Sequence, residues 1–171
     1  MKLDKKDRLI LYNQFEILKG LYPDDAEQYE ENQEIVVNGF EYNYSDLVDF
    51  IGEVTPSNVS EFVLDVLNMY RSLTFSYNGL NDMDKEQIDK YKISFKGFDA
   101  TEEYKYYNYA KFYINTLDRF EELKESKHFA LDYHHSTIDN YKEMLDLWKE
   151  VRKSEYDLLP LDSMLQIINK D

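Results

Sequence analysis

Apolar residues recur at helical spacing along most of the chain. From residue 59 to 77 they fall at Val59, Phe62, Val63, Val66, Leu67, Tyr70, Leu73 and Tyr77, the three-and-four spacing that lines one broad face of an α-helix. Asp65, Asn68, Arg71 and Ser72 are the polar relief on an otherwise aromatic and branched surface. A helix of that kind has to be covered by others, so it is expected at the centre of the fold.

The remaining pattern predicts further helices in order. Lys5 to Leu21 carries two adjacent apolar rows, Leu11, Phe15 and Leu18 beside Ile10, Ile17 and Leu21. Pro23 opens a second helix, with Asp24, Asp25 and Glu27 at the positive end of its dipole and Gly39 placed to end it. Ser45 caps a short helix to Ile51, and Thr55 with Pro56 starts the central helix. Asp84 to Lys90 reads as a further helical turn. Thr101 to Leu123 reads as one long helix, capped by Thr101 or Asp99 and apolar on more than one side, which makes it either a core helix or a dimer face. Thr137 to Lys153 carries Ile138, Tyr141, Leu145 and Trp148 in one row, and Asp162 caps a last helix after Pro160. Period-two alternation at Phe40–Tyr44 and Tyr91–Phe95 predicts extended pieces that pair as a minor two-stranded ribbon. The expected fold is therefore mostly α, a bundle of about seven helices in a single domain over residues 1–171, with that ribbon beside it.

Composition narrows the function. Five glycines and three prolines in 171 residues agree with long helices. The absence of cysteine fits a reducing compartment and excludes thiolate chemistry. The N-terminus lacks a run long enough for a signal or a membrane span, so a cytoplasmic protein without membrane contact is expected. A net charge of −15 argues against phosphate-backbone binding, which needs a basic stripe. The first reading of the acids is a solvated face that keeps the protein soluble; the second is an acidic surface that meets a basic protein partner or mimics a nucleic-acid backbone. A second copy of the chain is expected as a partner as well.

Candidate chemistry is sparse. No G-x-S-x-G, P-loop or H-E-x-x-H occurs, so no catalytic residue is assigned and no cofactor is expected. Glu125 and His128 resemble half of a carboxylate-bridged metal site, and His134, His135, Asp132 and Asp139 add ligand types. Their spacing does not preset a coordination geometry, and solvent-facing loop histidines are the first reading. Arg8, Arg71 and Arg119 lie inside apolar helical rows and need carboxylate or carbonyl partners; Asp99, Asp65 and Asp118 are candidates. Structural pairing is the first reading. The second is a ligand pocket around Arg8, Asp99 and Arg119 completed by Asn13, Gln14 and Tyr70.

Five blocks carry a family resemblance: Arg8 to Gln14 (RLILYNQ), Leu67 to Leu73 (LNMYRSL), Phe95 to Ala100 (FKGFDA), Tyr141 to Trp148 (YKEMLDLW) and Gln166 to Asn169 (QIIN). Their order and coverage resemble the YfbU family. The resemblance implies a mostly helical, cytoplasmic protein of bacterial or phage origin and implies no particular activity. Joined to the acidic composition and the missing catalytic motifs, it leads to the expectation of a non-enzymatic interaction or regulatory protein, with a ligand sensor or hydrolase as the alternative.

Overall fold

The structure, a computed structural model, describes residues 1–152 and 158–170. The chain divides into two compact units, Met1–Val54 and Thr55–Asp171.

The first unit is a helical hairpin. Helix α1 (Lys5–Leu21) starts at Asp4, whose carboxylate accepts the Lys6 and Asp7 amides while Asp7 reaches back to the Asp4 amide, a reciprocal capping box. A 3-10 turn at Pro23–Asp25 leads into helix α2 (Ala26–Asn38). Gly39 then adopts φ +73° and ends it, a left-handed conformation that glycine takes without steric penalty. Phe15, Val36, Tyr44 and Leu47 are the buried apolar residues of this unit. Buried Gln33 ties the two helices, donating to the Tyr12 carbonyl and to the Glu16 carboxylate at 2.8 Å.

The second unit is built round helix α3 (Ser57–Gly79), as the apolar spacing predicts. Val63, Val66, Leu67, Met69, Tyr70 and Leu73 are fully buried. Ser76 serves as a buried link, accepting the Leu159 amide at 2.7 Å. Around α3 lie α4 (Asp82–Lys85), α5 (Tyr104–Lys111), α6 (Glu121–Lys124), α7 (Ile138–Val151) and α8 (Leu161–Ile168). Tyr70, Phe95, Phe98 and Tyr141 form an interlocked aromatic centre with ring centroids 5.4–6.3 Å apart, within the range of favourable offset and edge-on ring contacts.

Several expectations need correction. Thr101–Leu123 is not one helix: α5 passes into a π turn at Phe112–Thr116, and the chain then breaks with positive φ at Asp118 and Phe120. Burial of the Phe120 ring beneath the Arg71 guanidinium, 4.0 Å from its centroid, offsets that backbone strain. The ribbon of Phe40–Tyr44 with Tyr91–Phe95 does not form. Glu41–Asn43 is a 3-10 turn and Tyr91–Ile93 is a turn. The extended backbone starts instead at Phe95 and pairs with residues 130–133, through Ala130 N–H to Phe95 O, Phe98 N–H to Leu131 O and Tyr133 N–H to Phe98 O.

The helix predicted from Ser45 to Ile51 shrinks to a 3-10 turn at Asp46–Val48 without a Ser45 cap. Pro56 and Pro160, not Thr55 or Asp162, occupy the cap positions of α3 and α8, with no side-chain cap hydrogen bond at either. The turn predicted at Asp84–Lys90 sits earlier, as α4. Lys153, the predicted end of the helix from Thr137, and Asp171, with which the last helix is expected to end in the run IINKD, lie outside the described residues.

Candidate functional site

One carboxylate organises the middle of the second unit. Glu103 is only 4% exposed and accepts hydrogen bonds from the Asp99 amide, the Ser136 hydroxyl, the Thr137 amide and hydroxyl, and the Ile138 amide, at 2.6–3.1 Å. Thr137 and Ile138 begin α7, so their unsatisfied amides meet an acceptor from another part of the chain. Gly97 adds its carbonyl, which accepts from Tyr141 at 3.0 Å and from Thr137 at 3.1 Å. Nothing in the local sequence announces this role beyond Asp99 followed four residues later by Glu103, a spacing close to a capping box.

Asp99 accepts the Thr101 and Glu102 amides, both at 2.8 Å, and caps the turn before α5. The Glu102 and Thr101 N–H groups hold its carboxyl below the ordinary aspartate range. A group whose pKa is lowered on folding adds stability above its unfolded pKa, about 3.9, and that stability is lost as pH falls through the folded value. In urea denaturation, the stability gap between parent and Asp99→Asn should be constant above about pH 5 and shrink as pH drops below the unfolded value. A gap unchanged at low pH would contradict this.

The other predicted ligand residues divide between the units. In the first, Arg8 donates to the Val36 and Val37 carbonyls at 3.2 and 3.5 Å, satisfying the end of α2, and lines an open hollow of about 410 Å³ with Lys2, Leu3, Gly39 and Tyr44. Asn13 and Gln14 are exposed on α1. In the second unit Tyr70 is a core residue, its hydroxyl 4.0 Å from the Met144 sulfur. Arg119 is exposed. The predicted arginine partners are exchanged: Arg71 pairs with Glu122, Asp65 with Lys149 and Asp118 with Lys124.

Among the described residues no three His, Cys, Asp or Glu side chains come together as a metal site. His128 and His135 sit edge-on to Tyr91 and Tyr133, His134 faces Asp132 at 3.6 Å, and Glu125 is exposed.

Hollows lie within the second unit, and two are well formed among the described residues. The larger, about 480 Å³, has walls from α3 and from residues 90–95 and 122–128, where Ser94 and Ser126 share a 2.6 Å hydrogen bond. The smaller, about 250 Å³, is lined by buried Lys96, whose ammonium lies 4.3 Å from the Tyr91 ring centroid.

Helix α1 leaves a row of apolar side chains exposed. Leu11, Phe15 and Leu18 turn toward α2, whereas the second predicted row faces outward: Ile10 is 46% exposed, Ile17 61% and Leu21 65%, with Leu9 beside them at 61%. Four buried apolar residues support a unit that exposes thirteen large ones. From Gly20 to Val54 the unit carries ten acids and no lysine, arginine or histidine, and its basic residues all lie in Lys2–Lys19. Among the described residues no helix is long and apolar enough to cross a membrane.

The YfbU domain model matches residues 1–170. The UPF0304 protein MJECS11 of Methanocaldococcus jannaschii is 33% identical over 169 residues, which span 98% of this chain and 99% of that protein. With the helical architecture and a match that runs through both units, the chain belongs to the YfbU family.

Proposed function

We propose that the chain is a non-enzymatic protein-interaction or regulatory module, and that the outward face of α1 is its docking surface. The supporting observation is the row Ile10, Ile17 and Leu21 with Leu9 beside it, left exposed on a unit that buries only four apolar side chains. A contiguous apolar surface rimmed by charge marks an interaction site more often than a monomer's ordinary exterior. The acidic run that follows α1 favours a partner presenting basic groups at the rim, because opposite charges steer encounter and like charges reject wrong partners. The single domain over the whole chain remains part of this reading, with the second unit as its larger core.

The absence of native cysteine gives a clean test. A thiol at Ile17→Cys should react with a maleimide about tenfold more slowly than one at exposed Glu31→Cys in an extract of cells producing the protein, as expected for a group withdrawn from solvent. Equal rates would refute docking on this face. Slow labelling of dilute, monomeric purified protein would refute it too, since the chain itself would then cover the face.

A further inference from the structure

Resting on that docking reading, we propose that the occupant of the α1 face is a second copy of this chain, with the two α1 helices antiparallel about a twofold axis. Helix α1 has 17 residues and so runs for about 25 Å. Its outward row begins after Lys6, four residues before Ile10 and on the same side, and ends at Leu21. Immediately beyond Leu21 stand exposed Asp24 and Asp25, followed by Glu27. The surface is therefore basic at one end, apolar in the middle and acidic at the other.

Such a polarity selects both partner and direction. Antiparallel pairing sets Ile10 of one copy against Ile17 of the other and brings Lys6 to Leu21 and the aspartates beyond it. The same match repeats across the axis, as a self-complementary twofold interface requires. Parallel pairing would place lysines against lysines and aspartates against aspartates. Exposed Gln14, on the row between Ile10 and Ile17, falls near the axis, where its amide can bond to its own equivalent.

Size supports the same occupant. A 54-residue unit with four buried apolar side chains lies in the range where small cores are marginal and association supplies the missing burial. Joining two hairpins through their α1 faces makes a four-helix arrangement whose inner surface contains both rows of α1.

The test is light scattering and sedimentation of the full chain at micromolar concentration, with circular dichroism as a check of folding. The parent should be a dimer and Ile17→Glu a folded monomer; the parent side chain is already exposed, so this substitution leaves the unit's own core intact. Lys6→Glu should weaken dimerisation about tenfold, and adding Asp24→Lys and Asp25→Lys should restore it, more strongly at low salt. A misfolded variant would not be rescued in this way.

A monomeric parent would overturn the proposal, as would a dimer indifferent to Ile17→Glu or a charge reversal without rescue. The maleimide experiment separates the two levels. A monomeric parent with Ile17→Cys protected in the extract leaves docking standing and assigns the face to a different protein. A monomeric parent with rapid labelling in the extract removes both readings.

Discussion

Gly97→Ala should leave little folded protein. Gly97 holds φ +83°, a region closed to most side chains, and a Cβ built there would lie 2.0 Å from the Leu131 carbonyl oxygen. That oxygen cannot move away independently, because it accepts the Phe98 amide at 3.0 Å within the pairing of residues 95–98 with 130–133. Relief would require opening this pairing, at about 1 kcal/mol for each of its hydrogen bonds, in addition to backbone strain of about 1–2 kcal/mol. Disruption of the aromatic packing of Phe95 and Phe98 adds to both. The expected loss exceeds about 4 kcal/mol, a large part of a typical domain's 5–15 kcal/mol. Gly79→Ala serves as the control, since its new methyl would meet only the Leu158 side chain at 3.7 Å. Urea or thermal unfolding should find the control near the parent and Gly97→Ala unfolded or strongly destabilised; a Gly97→Ala midpoint near the parent's would contradict the geometry.

Glu103→Ala is the second large effect. It removes the acceptor for three buried or part-buried amides, those of Asp99, Thr137 and Ile138, together with the Ser136 hydroxyl, and leaves a void. Each buried donor stranded without a partner costs about 1–3 kcal/mol, reduced where water or a shift of the backbone can reach it, so a total of about 3–5 kcal/mol is expected. Glu103→Gln keeps the volume but turns an amide N–H₂ toward backbone donors, and should lose about half as much. Equal stability of Glu103→Gln and the parent would show that the donors find other acceptors.

Much of the helical framework was legible because it rests on local rules. The predicted bounds Lys5–Leu21 match α1, and Gly39 ends α2 as its sequence position implies. The centrality of α3 follows from apolar residues around most of its circumference. The break after α5 was not legible, because Asp118 and Phe120 make it without glycine or proline, and apolar residues at helical spacing, Tyr106, Ala110, Tyr113, Leu117 and Phe120, run straight through it. The ribbon failed for a related reason: short alternations at residues 40–44 and 91–95 suit turns as well as strands. Asp99, one of the two residues expected to cap the helix after it, caps instead the turn that precedes α5, whose own N-cap is Glu103. The inward turn of Glu103 depends on contacts with residues 33 to 35 positions away, which no local pattern encodes. Likewise, the two rows of α1 were visible, but which row faces solvent depends on how few residues α2 supplies to cover them.

The remote acceptor at the start of α7 also bears on the order of folding. The Thr137 amide bonds to a residue 34 positions earlier, so the open amides at the start of its helix are satisfied from remote sequence, although the turn itself closes locally through Tyr141 N–H to Thr137 O. That satisfaction waits for closure of the intervening segment, an entropic cost that grows only slowly with loop length. Formation of that helix end is thereby tied to tertiary assembly, and the kinetic signature is an amino-terminal turn that consolidates after the middle of the same helix.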